Sequence, residues 1–223
     1  MLARVYFPYL VAGYKEGIEQ GKAQTRADTT FSDAVAAAIK RKAYAHAAIA
    51  TGNTKKKLQE LLAKALTEGL GVRGLADEIE DEFGSMARYR TLNIARTELT
   101  GTINEATYDV LEGEGQREKE WSTVIDGAQR PSHGAANGQV VGINDLFKVG
   151  DGYARFPGDD RLPAGELVNC RCAVLGAGLS GDRKRHVGRR FLRVHGSLER
   201  KFVVALRRSF AAQRARVLSH FPS

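Results

Sequence analysis

From Trp121 to Cys172 the chain leaves the helical periodicity that governs it on both sides, and this switch most limits the folds open to it. The stretch holds the only Trp, both Cys, one of five His and a run of Asp, Arg and Asn. Glycine is frequent in it, and short β-type runs stand at 121–125, 139–143 and 170–175. A chain that is helical, then briefly β, then helical again reads as α+β: a helical N-terminal region, a small mostly antiparallel β domain and a C-terminal basic amphipathic helix. The expected parts are an N-terminal helix at 1–26, a helical region at 27–116, the β-rich domain at 117–178, and a linker with the basic helix at 179–223.

The flanking helices show in the spacing of apolar residues. Val5, Tyr9, Leu10, Tyr14 and Ile18 recur at helical intervals, and Gly13, Gly17 and Gly21 line one stripe of the same helix. Such a stripe lets another backbone approach closely, either within the chain or between subunits. A helix over 30–50 and another from Asn53 to about Gly69 follow, then a short one carrying Leu75, Ile79 and Phe83 between Gly74 and Gly84. A long helix is expected over 85–112, with Tyr89, Leu92, Arg96, Leu99, Ile103, Ala106 and Val110 on one stripe. Arg96 on that stripe requires a carboxylate or carbonyl partner, because an unpaired buried charge is very costly. The segment after Leu175 reads as a linker, and a last helix from about Ser197 places Leu198, Phe202, Leu206, Phe210, Val217 and Phe221 on one side.

Composition narrows the function classes. Two Cys are too few for a disulfide scaffold, and a Cys-x-Cys ring is small and strained, so reduced thiols and a cytosolic origin are expected. No run reaches the ~18 apolar residues of a spanning helix, so no membrane role is expected. The short apolar centre after Arg4 has the look of a leader, but the helical spacing that continues to Ile18 fits a folded helix better. The net charge of +8 is concentrated: from Asp182 onward there are twelve Lys and Arg against two acids, leaving residues 1–181 slightly acidic. This segment is the candidate contact for a polyanion or an acidic partner, through Arg183, Lys184, Arg185, Arg189, Arg190, Arg207, Arg208 and Arg214.

Candidate chemistry gathers in the central stretch. Asp126, His133, Cys170 and Cys172 are the residue types of a tetrahedral zinc shell. The competing reading is a hydrogen-bonded network in which Asp126 pairs with Arg130 or Arg171, His133 and Asn169 satisfy backbone groups, and the two Cys pack as small apolar side chains. The same residues would serve a metal-dependent hydrolase. No nucleophile elbow, HExxH, phosphate loop or GxGxxG supports an enzyme, and none is expected.

Read together, several of these residues resemble the phage Mu F-like head morphogenesis family. They are Ile94-Ala95-Arg96-Thr97-Glu98 and Asn104, then Lys119-Glu120-Trp121, then Asp126 with Arg130 and His133. They continue through Gly138, Phe147, Phe156-Pro157-Gly158-Asp159 and Asn169-Cys170-Arg171-Cys172. The resemblance covers about 31–175. It departs at Ala128, where the family often has Arg, and at Asp160, where it often has Pro. It implies a minor capsid protein of a tailed phage or phage-like particle. Such a protein would be portal-associated, would act in viral assembly and lie in the virion head, assembled in the bacterial host cytoplasm. Its partners would be the portal or major capsid protein, with double-stranded DNA and self-association in the particle as further contacts. Arg96, Glu98, Trp121, Asp126, Arg130, His133, Asn169 and Arg171 would then be structural motif residues, with no cofactor unless a structural zinc. A toxin-like enzyme is the alternative that related domains in toxin fusions leave open.

Overall fold

A computed structural model describes residues 2–25 and 72–218, with Lys56, Glu60 and Lys64 between them; at 2–4, 6 and 210, over 72–91 and beyond 212 only the backbone is described. The helices expected over 30–50 and 53–69 lie outside the described residues, apart from those three positions, which are helical. The order of elements is α1 (Leu2–Thr25), α2 (Val72–Gly113), β1 (Glu118–Ser122), α3 (Pro131–Ala136), β2 (Val140–Gly142), β3 (Phe147–Val149), β4 (Gly152–Ala154), α4 (Ala164–Leu167), β5 (Ala173–Gly176) and α5 (Gly181–Leu218). The class is α+β, as the sequence suggests.

Three long helices, α1, α2 and α5, pack against one another. Leu10 of α1, Ala95 and Leu99 of α2, and Phe202, Val203 and Leu206 of α5 form their shared core. The glycine stripe of α1 lies on α2 within the chain. A Cβ on Gly17 would stand 2.3 Å from the Ile103 carbonyl oxygen, and one on Gly21 would stand 2.5 Å from Val110 Cβ. The two backbones approach because these positions carry no side chain. Thr107 Oγ1 donates to the Gly17 carbonyl at 3.1 Å across the same contact.

Two helices are longer than the sequence suggests. The backbone of α2 runs unbroken through Gly74 and Gly84, where a short helix and a separate long one are expected. Glycine costs about 1 kcal/mol in a helix interior, which a long packed helix absorbs. Helix α5 begins at Gly181, inside the stretch read as a linker. Val187 and Phe191 in that stretch are buried, and so are His195 and Phe202 beyond it, so the apolar face continues backwards from the expected start. Tertiary packing outweighs the local glycine and charge content.

The β domain is a three-stranded antiparallel sheet in the order β2-β1-β5, with a separate β3–β4 hairpin. Trp121 pairs with Val174 and Lys119 with Gly176. Trp121 is fully buried and meets Phe147 and His133 edge-on, at 5.4 and 5.8 Å between ring centroids. Lys119 is also fully buried; its Nζ donates to the Ile143 carbonyl at 2.6 Å and sits 4.6 Å above the Tyr108 ring. Gly101 of α2 and Gly158 of the 156–160 loop touch backbone to backbone: a Cβ on Gly101 would lie 2.7 Å from the Gly158 carbonyl oxygen. Gly158 has φ +84, so only glycine suits both its backbone and the contact.

Candidate functional site

One face of α2 holds the segment 169–174 by side-chain hydrogen bonds to its backbone, turn after turn. Thr97 Oγ1 accepts from the Asn169 N–H at 2.9 Å. Thr100 Oγ1 donates to the Cys170 carbonyl at 2.7 Å. Asn104 donates through Nδ2 to the Cys172 carbonyl at 2.9 Å and accepts through Oδ1 from the Val174 N–H at 2.8 Å. The Val174 N–H lies on the edge of β5 that β1 does not cover, and the residues before it lead into that strand, so the Asn104 amide stands where a neighbouring strand's peptide would. Gln24 of α1 continues the same edge, accepting from the Gly176 N–H at 2.7 Å. Unpaired strand edges invite foreign pairing; here two side-chain amides close this one.

Arg96 begins this face. Its Nη1 donates to Asn169 Oδ1 at 2.7 Å, and its Nε and Nη2 donate to the two carboxylate oxygens of Glu199 at 3.1 and 2.9 Å. The partner demanded by its place on the apolar stripe is thus one residue from the β domain and one from α5. Asn169 is the only non-glycine residue with positive φ among the described residues, at 64°. Asn tolerates the left-handed region better than most side chains, and here its side chain and its N–H are both bonded to α2.

Below this clasp lie His133, Cys170 and Cys172, each 3% exposed or less. His133 Nδ1 is 3.3 Å from Cys172 Sγ and 3.7 Å from Cys170 Sγ. On its other side, His133 Nε2 is 3.1 Å from both the Glu166 carbonyl and Glu166 Oε2. Glu166 Oε2 in turn accepts from Ser132 Oγ at 2.7 Å. Thr123 Oγ1 donates to the His133 carbonyl at 2.7 Å and accepts from Trp121 Nε1 at 3.1 Å, which fixes the start of α3 against β1.

The electrostatics of this group are tightly linked. The hydrogen bond from Cys170 holds the Cys172 thiol down to about 5, assisted by His133 and Thr123 against the opposing effect of burial. Cys170 is pushed up by the same hydrogen bond and by burial, so the proton stays on Cys170 and the charge on Cys172. Burial is the largest single influence on His133 and lowers its pKa, but the hydrogen bond to Cys172 and the negative charges of Cys172 and Glu166 together outweigh it and raise the pKa. His195 of α5, whose Nε2 is 3.0 Å from Thr100 Oγ1, is pushed down to about 4 by burial.

The other residues singled out in the sequence are placed as follows. Asp126 stands at the surface and takes a two-pronged contact from Arg171, at 2.6 and 3.0 Å. That contact holds its carboxyl below the ordinary carboxylate range. Asp126 is therefore not among the residues gathered at the thiols, which are His133, Cys170 and Cys172. Arg130 donates to the Val168 carbonyl. Glu98 is half-buried on α2. A cleft of about 280 Å³ opens over the group, lined among others by Arg96, Thr123, Arg130, Asn169 and Arg171. Thr100, Glu166, His195 and Glu199 are contributors that sequence reasoning missed. Thr100 and His195 sit on apolar stripes, a signal open to reading; Glu166 and Glu199 have no such signal.

The sequence matches, over residues 56–175, the family described as phage Mu protein F like protein. The chain belongs to the phage Mu F-like family. No curated protein and no solved structure matches it. The family suggests a phage head morphogenesis protein. The matched region takes in α2, the sheet and the Cys-x-Cys segment, so the α2 face and the His133 group both fall within the Mu F-like part of the chain. Helices α1 and α5 lie outside it and supply Gln24, His195 and Glu199.

The basic helix of this Mu F-like protein packs Leu198, Phe202, Val203 and Leu206 against α1 and α2; the side chains of Phe210, Val217 and Phe221 lie outside the described residues. Its N-terminus is capped by Ser180, and Lys184 and Arg190 pair with Glu120 and Glu16 at 2.5 and 2.8 Å. Arg185 pairs with Asp182. Arg183, Arg189, Arg207 and Arg208 are exposed, and the side chain of Arg214 lies outside the described residues. Among the described residues no helix is long and apolar enough to cross a membrane.

Proposed function

We propose that this chain is a minor capsid protein that acts in head morphogenesis of a tailed phage or phage-like particle. On this reading it associates with the portal or the major capsid protein and enters the virion head during assembly in the host cytoplasm. The observation that carries the proposal is the family match over 56–175. The packing of the His133 group supports an architectural use: its residues fasten β5, α3 and α4 to one another, and Asp126, which a hydrolytic site would need beside the thiols, is paired at the surface with Arg171. The test is co-expression with the portal and major capsid proteins of the same particle, followed by sedimentation. The chain is expected to travel with procapsids or portal rings; a chain that stays at the top of the gradient rejects the reading.

The exposed arginines of α5 support contact with packaged double-stranded DNA rather than a groove-docking helix, since Leu198, Phe202, Val203 and Leu206 are already packed within the chain. Such binding weakens with salt, with a slope set by the number of phosphates neutralised. Replacing Arg207 and Arg208 by Ala is expected to reduce that slope by about 2. An unchanged slope assigns this face to a protein partner.

A further inference from the structure

We propose that His133 Nδ1, Cys170 Sγ and Cys172 Sγ bind a single zinc ion, with the fourth coordination position facing the arginine-lined cleft. The three atoms lie within 4.8 Å of one another. A tetrahedral site with Zn–S of about 2.3 Å and Zn–N of about 2.1 Å places its ligand atoms ~3.6–3.8 Å apart. The imidazole-to-sulfur distances of 3.3 and 3.7 Å lie on either side of the ~3.6 Å such a site sets between nitrogen and sulfur.

The surroundings fit as well as the ligands do. A metal-binding imidazole usually gives its second ring N–H to a carboxylate or carbonyl, which fixes the tautomer. His133 Nε2 has both, from Glu166. The Cys172 N–H points at Cys170 Sγ at 3.4 Å, a donor that suits a thiolate ligand. Two thiolates and a neutral imidazole give Zn²⁺ an uncharged shell, and three ligands buried to this degree tolerate no net charge cheaply. The hydroxyl of Thr123 is already engaged with Trp121 and the His133 carbonyl, so it is not the fourth ligand. The cleft over the group supplies an access path and room for water or an anion. Asp126, the obvious carboxylate in the sequence, is excluded by its pairing with Arg171.

The full chain, purified under reducing conditions without chelator and incubated with zinc, is expected to retain ~1 equivalent after desalting, the count for one tetrahedral site. Loading with cobalt(II) instead is expected to give thiolate-to-cobalt charge-transfer absorption together with intense tetrahedral d–d bands, and added azide should shift the d–d bands. Asp126→Asn should retain the full equivalent. Glu166→Gln should weaken zinc binding by about tenfold, the effect of losing an outer partner of the imidazole. Cys170→Ala/Cys172→Ala should lose the metal. The wild-type cobalt spectrum keeps the proposal testable even where that variant does not fold. Absence of both retained zinc and the charge-transfer band overturns the site, loss of metal in Asp126→Asn overturns the ligand set, and a spectrum indifferent to azide overturns the open position.

Discussion

Arg96 and Glu199 meet through two parallel hydrogen bonds, 103 residues apart in the chain, where α2 crosses α5. Forked guanidinium–carboxylate pairs are among the stronger polar contacts, and removing one partner strands the other. Arg96→Met is expected to cost about 2–4 kcal/mol in urea unfolding, because it leaves Glu199 and Asn169 Oδ1 without their donor. The double variant Arg96→Met/Glu199→Leu should lose clearly less than the two single losses combined. Simple additivity would mean that the pair contributes nothing as a pair.

Asn169 carries two separable duties. Its left-handed backbone costs an ordinary side chain about 1–2 kcal/mol, and its side chain accepts from Arg96. Asn169→Ala should lose on both counts, and Asn169→Gly only on the second. The expected order of melting temperature is wild type, Gly, then Ala. Equal melting of the two variants would show that the backbone conformation is not under strain.

Two helical glycines should respond to alanine with opposite signs. At Gly17 the added methyl would meet the Ile103 carbonyl oxygen at 2.3 Å, and about 1–3 kcal/mol should be lost as α1 is pushed from α2. At Gly188 nothing lies within 4 Å of the new methyl, and about 0.4–1 kcal/mol should be gained from reduced freedom of the unfolded chain. Chemical denaturation of the two variants side by side checks both.

The buried imidazole of His195 makes stability depend on pH. It is flanked by Thr100, by Glu199 Oε2 at 3.4 Å, and by the charges of Arg96 and Arg171. Its native pKa of about 4 lies below the ordinary value of 6.5, so folding favours the neutral ring. The stability linked to that preference is full above pH ~6.5 and is lost as pH falls toward 4, with an upper size of about 3 kcal/mol. Unfolding measured from pH ~7 to ~4 should fall more steeply for wild type than for His195→Gln. Parallel pH profiles would remove His195 as the source.

What the sequence disclosed follows from the range over which each feature acts. The stripe bearing Arg96 is local, so the need for a partner could be read; Glu199 could not, because the crossing of α2 and α5 is set by packing across the whole chain. The glycine stripe of α1 could be read as a close contact, and only the fold shows that α2 is its mate. Gly150-Asp151 is a two-residue hairpin signal. Its flanking strands, however, are three residues each, too short to show alternation, so the β3–β4 hairpin carries no periodic pattern around its turn. Gly181 and Gly188 suggested a linker because propensity is a weaker influence than the burial of Val187 and Phe191. At the candidate site, Cys-x-Cys and His133 stood out by residue type, whereas Glu166 comes from a four-residue helix with no periodic pattern to mark it.

The bonds between α2 and the Cys-x-Cys segment work because two different lattices briefly coincide. Four residues of helix rise ~6.0 Å, and two residues of chain at the pitch of a strand, as the segment leads into β5, advance ~6.6 Å. Thr100 and Asn104 can therefore grip the carbonyls of Cys170 and Cys172 in step, while each additional repeat would add ~0.6 Å of mismatch. The helix acts as a vernier whose marks align only over this short span. A single-residue insertion in either element would put the marks out of phase, and both sulfurs would be carried away from His133.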